Sequence, residues 1–261
     1  MSLGLYEELN DRWGAAASLN ALAIGACDSG DYDTAQGTFE RCLQFWRALD
    51  NPLETARCVH NLANVAKLRE DFFRAQVALR EATAIFEQVG DRSGAAWSIN
   101  QQGDIAREQG DLSAAGDHYR QALKAFREAE DRWGCARSLA DLGYVYCEQK
   151  KHEDARNAYR EALETFTELG HKRGMARALE GSACLAAARG QSARALKLAA
   201  AAQHLRRLMG ARLPQAEQSK LDQKLVPAWQ SLGEAEGKRA WGEGTAMDID
   251  TAIEYSLREP S

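Results

Sequence analysis

Asp11-Arg12-Trp13-Gly14, Asp91-Arg92-Ser93-Gly94, Asp131-Arg132-Trp133-Gly134 and His171-Lys172-Arg173-Gly174 are four versions of one phrase, set on a grid of 40 residues. Asn51-Pro52 fills the step between the first two. Twenty-four positions after each anchor stands an alanine: Ala35, Ala75, Ala115, Ala155 and Ala195. A fixed period of roughly 20–50 residues means supersecondary units stacked on their neighbours, because one unit cannot bury its apolar face alone. The sequence therefore predicts a solenoid and, from such a long surface, a binding role.

Residues 91–130 show the unit. Gly90 suits the left-handed residue that closes a helix, and Asp91 suits the cap of the next. Ala96, Ile99, Gly103 and Ala106 fall on one helical face. Gly110-Asp111 repeats the stop and start, and Leu112, Ala115, Tyr119, Ala122, Leu123 and Phe126 stripe a second helix. Gly30-Asp31 and Gly170-His171 carry the same punctuation, while Glu70 and Lys150 stand where glycine is usual. In the second unit Asn51 caps and Pro52 follows at the first helical position, where its missing N–H costs nothing.

Small residues recur as strictly as large ones. One position reads Ala23, Ala63, Gly103, Gly143, Ala183, and another Cys42, Ala82, Ala122, Ala162, Ala202. Large residues stand beside them: Leu19, Val59, Ile99, Leu139 and Leu179; Phe39, Leu79, Tyr119 and Tyr159; Trp46, Phe86, Phe126 and Phe166. Each, fully buried, contributes about 1.5–3 kcal/mol, so several per unit decide stability.

Composition narrows the function classes. Hydrophobic content of 45% fits a folded chain, and 33 basic against 38 acidic residues give a net charge of −5 without a basic block, so direct nucleic-acid binding is not expected. No apolar run approaches the ~18 residues of a membrane span, and the start lacks a signal peptide's basic and apolar regions, so a cytoplasmic location is expected. Cys27, Cys42, Cys58, Cys135, Cys147 and Cys184 form no Cys-x-x-Cys pair, and no histidine stands at metal-ligand spacing from them; they read as reduced, buried small hydrophobes. No phosphate-binding glycine loop and no His-Glu-x-x-His occurs. His60 and Cys58, two apart, do not face each other on a helix. No catalytic residue, metal or cofactor is expected, and nothing in the sequence sets an oligomeric state.

The fourth unit, with Leu142-Gly143, Tyr146, Ala155, Tyr159 and Ala162-Leu163, resembles the tetratricopeptide repeat in its 40-residue form, as does the third with Gly103, Gly110, Ala115, Tyr119 and Ala122-Leu123. The resemblance implies an all-α, right-handed α-α superhelix. The fifth unit loses its aromatics at Ala199 and Arg206, so the array is expected to end there. The predicted organisation is the end of a truncated repeat over 1–10, five helix pairs over 11–210, and a helical C-terminal cap over 211–261. Leu5-Tyr6-Glu7-Glu8-Leu9-Asn10 mimics the close of a second helix, which reads as a domain excised from a longer chain. Within the cap, Leu221, Leu225, Trp229 and Leu232 lie near helical spacing, Pro227 is expected to kink or split that helix, and Trp229 and Trp241 are expected to pack on the last repeat. The runs Ala199-Ala200-Ala201-Ala202-Gln203-His204-Leu205-Arg206, Met209-Gly210-Ala211-Arg212-Leu213-Pro214, Trp241-Gly242-Glu243-Gly244 and Asp248-Ile249-Asp250-Thr251-Ala252-Ile253 resemble the C-terminal sensor region of large bacterial signalling NTPases of the maltose-activator type.

In tetratricopeptide proteins the first helices line a concave groove that takes peptides. The match places there Asn20; Arg57, His60, Asn61, Asn64 and Lys67; Trp97, Asn100, Gln101, Asp104 and Arg107; Arg137, Asp141 and Tyr144; Arg177 and Glu180. Asn61 and Asn64 match the family's peptide-backbone clamp, since an amide both donates and accepts. Arg57, Arg137 and Arg177 recur at one position and favour a carboxylate on the ligand. Trp97 and Tyr144 read as exposed aromatic anchors. The resemblance implies a non-catalytic scaffold that binds a protein or peptide, as the sensor or interaction region of a bacterial transcription or signalling regulator. The alternative is a free-standing adaptor that assembles a complex.

Overall fold

The structure is a computed structural model that describes Gly4, Tyr6, Leu9 and residues 11–258. The expectation for residues 1–10 lies largely outside the described residues. From Arg12 on, the described residues form ten helices of 17 residues: α1 (Arg12–Asp28), α2 (Tyr32–Ala48), α3 (Pro52–Leu68), α4 (Phe72–Gln88), α5 (Arg92–Glu108), α6 (Leu112–Glu128), α7 (Arg132–Glu148), α8 (His152–Glu168), α9 (Lys172–Ala188) and α10 (Ser192–Leu208). Then come α11 (Gln215–Thr245) and α12 (Ile249–Leu257). The fold is all-α, of the tetratricopeptide superhelical class. Two compact units divide the chain: the first runs to Glu130 and holds α1–α6, and the second starts at Asp131 and holds α7–α12.

The repeated phrase has a local cause. Asp11, Asp31, Asp71, Asp91, Asp111 and Asp131 each accept a hydrogen bond from the backbone N–H three residues on, as does Asn51. His171 does the same through Nδ1, at 3.0 Å from Gly174 N. The glycine of the phrase makes room for the aromatic that closes the preceding helix. A Cβ on Gly94 would lie 2.5 Å from the Phe86 ring, one on Gly174 2.3 Å from Phe166, and one on Gly14 2.3 Å from Tyr6.

Each of the ten 17-residue helices then turns through a left-handed residue. Gly30, Gly90, Gly110, Gly170, Gly190 and Gly210 do so at φ between 63° and 84°. Asp50, Glu70, Glu130 and Lys150 hold the same conformation at φ between 50° and 62°. These four departures from glycine, Glu70 and Lys150 among them, thus leave the turn intact, with the Cβ strain retained.

The small-residue positions are contact points. In the first unit Leu19, Ala23, Ala35, Phe39, Cys42 and Trp46 form one buried cluster with Cys58 and Val65. Ala63, Ala75, Leu79 and Ile105 form another. A Cβ on Gly103 would meet the Tyr119 ring at 2.6 Å, and one on Gly143 would meet Tyr159 at 2.7 Å. Units with alanine there (Ala23, Ala63, Ala183) carry Phe39, Leu79 and Ala199 in place of tyrosine. All six cysteines are free thiols. Cys42 and Cys58 are buried and donate to Ala16 O and Phe39 O, and burial pushes the Cys184 thiol up to about 12.

The tail corrects one expectation. Pro227 sits inside continuous helix; the break in α11 is at Gly233, with φ 72° and ψ 171°. Proline's fixed φ is helical, so it forgoes one hydrogen bond without leaving the helix. Gly233 adopts a backbone region essentially closed to other residues. The two arms of α11 fold back on α10 and reach α9. Trp229 and Trp241 stack at 5.7 Å, Trp229 lies against Gly237, and Gly244 lets the second arm close onto the Lys197 backbone.

A candidate binding cleft on the first unit

On the first unit, α1, α3 and α5 bring their predicted groove positions together. A cleft of about 490 Å³ is lined by Asn20, Arg57, His60, Asn61 and Trp97 from the predicted set. Asn61 Nδ2 donates to Asn20 Oδ1 at 3.4 Å, which aligns two amides across neighbouring first helices. Arg57 is more than half exposed and bonds Glu54 at 2.6 Å, an exposed pair that a ligand carboxylate competes with at little cost. Trp97 is half-buried, its ring tilted against Phe126 with centroids 4.8 Å apart, so it is a fixed wall and not the exposed anchor expected.

His60 is held neutral. Burial first, and the Lys67 charge second, push its pKa down to about 4. Ser98 Oγ donates to Gly94 O, so the 3.0 Å contact from His60 Nδ1 to Ser98 Oγ uses the imidazole N–H. That leaves Nε2 as an acceptor.

The other predicted positions of this unit form a buried network. Gln101 Nε2 donates to Asn64 Oδ1 at 2.9 Å. Asp104 accepts from the Tyr119 hydroxyl at 2.9 Å and lies 3.9 Å from Lys67 Nζ and 3.5 Å from Arg107 Nη2. Asn100, Gln101 and Asp104 are buried, which overturns their reading as open groove contacts. The tyrosine that Gly103 admits brings its hydroxyl to this carboxylate, so a packing residue also anchors the network.

On the second unit the predicted positions are satisfied within the chain. Asp141, its side chain fully buried, takes Arg137 Nε at 2.8 Å and is also paired with Arg177. Glu180 is forked by Arg206, with one arm at 2.9 Å. Tyr144, expected to be an exposed anchor, is half-buried under the Lys224 ammonium of α11, 5.3 Å from its ring, and Lys224 is also paired with Glu148. Nothing about residue 144 alone could announce this, since its cover lies 80 positions away.

Sequence reasoning missed Glu54, Phe86, Asp91, Ser93 and Gly94, which complete the cleft wall. A signal was available for Glu54, which extends the stripe of Arg57, Asn61 and Asn64 by one helical turn. Among the described residues no cluster of His, Cys, Asp or Glu is placed to hold a metal ion, and no helix is long and apolar enough to cross a membrane.

A family model described as the MalT-like TPR region matches residues 14–259. No curated protein matches the chain by sequence. Among solved structures, a Rap protein complexed with competence and sporulation factor aligns with a TM-score of 0.70 at 14% identity, over 92% of this chain and 65% of that one. BtubC from P. vanneervenii aligns with a TM-score of 0.63 at 17% identity, over 80% and 87%. A signal transduction ATPase with numerous domains and a tetratricopeptide repeat sensor, from Pyrococcus horikoshii, aligns with a TM-score of 0.63 at 15% identity, over 89% of this chain but 36% of that one. At these identities the likenesses show the fold.

Proposed function

Because the chain belongs to the MalT-like TPR region family, we propose that it is a non-catalytic scaffold whose first-unit cleft binds an extended peptide segment of a protein partner. The observation that carries this reading is the convergence of Asn20, Arg57, His60, Asn61 and Trp97 on one cleft of about 490 Å³. That volume falls in the usual range for a ligand site, about 300–1,000 Å³. Each asparagine amide can donate to a peptide C=O and accept from an N–H. Arg57 offers its fork to a carboxylate, and Trp97 with Phe86 offers an apolar wall. The Rap structure in complex with its factor is a parallel of the same fold. We further propose that the chain is the sensor region of a bacterial signalling regulator; the family description and the sensor-bearing ATPase of the same fold support that context. An NTPase module encoded in the same reading frame would favour it, and an independent reading frame would favour the adaptor alternative.

The test is selection of binders from a randomised peptide library on the immobilised chain. Selected peptides lose about tenfold or more in affinity on Asn20→Ala with Asn61→Ala, at unchanged melting temperature, and Arg57→Ala removes the preference for acidic residues. Peptides indifferent to both changes would sink the reading.

A further inference from the structure

The second unit holds a different kind of site, away from the groove positions. Arg156 and Arg160 of α8, Arg189 at the end of α9, Arg194 of α10 and Arg258 after α12 line one small cavity of about 40 Å³. No aspartate or glutamate is among its lining residues. Glu153 pairs with Arg156 at 2.6 Å and Arg189 at 3.4 Å, and Glu254 pairs with Arg258 at 2.9 Å, but both carboxylates are more than half exposed. Arg194 is held in place from behind: its Nη2 donates to Ser256 O at 2.9 Å and Arg258 O at 2.8 Å, and its guanidinium lies 4.9 Å from the Tyr255 ring. Burial lowers its pKa, against the opposing effect of Tyr255, and the Arg189 charge lowers it a little further. Like charges gathered this closely repel one another, and an anion among them reverses the sign of that energy.

Two further observations point the same way. In α2, α4 and α6 an aspartate caps the first turn: Asp31, Asp71 and Asp111. In α8 and α10 the equivalent residues are Lys151 and Gln191, and neither side chain caps. The capping aspartate is thus absent at the two second helices that carry Arg156, Arg160 and Arg194 into the cavity, although Glu153 and Asp154 stand in the first turn of α8, and Gln191 itself lines the cavity. The first turn of α10 carries no acidic residue, so the positive end of that helix dipole adds to the field there. The cavity is small, about 40 Å³, and so suits a compact group. A phosphoryl group presents three terminal oxygens. A planar guanidinium fork meets two of them at once.

We propose that this arginine-lined cavity binds a phosphoryl group, from inorganic phosphate or from a phosphate monoester. The site uses α8, α9, α10 and α12 together, so its occupation ties the C-terminal helix to the last two repeats. It is independent of the peptide-binding reading and stands or falls apart from it.

The test is titration calorimetry of the full chain with inorganic phosphate, with ionic strength held constant by sodium chloride. One saturable site is expected. Arg160→Gln, which leaves the Glu153 pairs intact, should weaken it about tenfold or more, and Ser182→Asp, which adds a carboxylate to the lining, should do the same. Asn61→Ala in the other unit should leave it unchanged. Circular dichroism establishes that each variant is folded. Methyl phosphate separates the sources: binding at least as tight as inorganic phosphate identifies a monoester, and binding about tenfold weaker identifies the free ion. No heat beyond the chloride control, or wild-type affinity in both folded variants, overturns the proposal.

Discussion

The same repeat positions have opposite fates in the two units. In the first, Asn20, Arg57, His60 and Asn61 border an open cleft. In the second, Arg137 and Arg177 are spent on Asp141, Glu180 on Arg206, and Tyr144 lies beneath Lys224. The difference comes from the partner each polar group meets, not from the helix that carries it. A neighbouring helix or the tail supplies an opposite charge in the second unit, and a buried charge must be paired. In the first unit the asparagines meet one another, and an amide pair keeps capacity to spare. One template thus leaves a cleft open in the first unit and pairs the corresponding arginines and carboxylates within the chain in the second.

That contrast can be broken or sharpened by measurement, and the largest effect belongs to the second unit. Asp141→Ala strands two guanidiniums around a buried site and should cost about 3–5 kcal/mol in denaturant unfolding. Asn61→Ala, at a wet amide pair, should cost under about 1 kcal/mol. Equal losses would erase the distinction between the units.

The next effect is a pH dependence in the first unit. The folded pKa of His60, about 4, lies below its unfolded value near 6.5, so the unfolded chain binds the proton first. Stability therefore falls as the pH drops from about 6.5 towards 4, by about 2–3 kcal/mol in all. His60→Gln should flatten the curve over that window; an unaltered curve would show that His60 is not the titrating group.

A smaller effect tests what the units share. Gly103→Ala and Gly143→Ala each drive a methyl group into a tyrosine ring and should cost about 1–3 kcal/mol apiece by thermal unfolding. A loss in one and not the other would mean that the packing code, as well as the groove, differs between the units. The smallest change is a gain. Glu70→Gly and Lys150→Gly remove a Cβ from left-handed turns and should stabilise by about 0.5–1 kcal/mol each, seen as a raised denaturant midpoint.

Much of this was legible from spacing. The aspartate of the Asp-Arg-x-Gly phrase is read correctly as a cap because the cap bond spans three residues, whereas the space its glycine leaves for the preceding aromatic is seen only in the structure. The groove set was only partly legible. Asn20, Arg57, His60 and Asn61 share the cleft as their helical face implies, yet Asn100, Gln101 and Asp104 on that same face are buried. Helical period says which way a side chain points but not how deep its neighbour stands. The arginine cavity left no trace in any window, because its five members span residues 156 to 258.

The sequence by itself determined the helix pairs, their caps, the left-handed turns and the small-against-large packing. Those are set by bonds and contacts between residues a few positions apart, or by one repeat meeting the next at a fixed offset. Only the tertiary structure decided which polar groups stay available, that α11 breaks at Gly233 and not at Pro227, and that Lys224 covers Tyr144. These depend on the distance at which non-repeating segments come to rest, and a charge is free or spent according to what lies within a few ångströms of it.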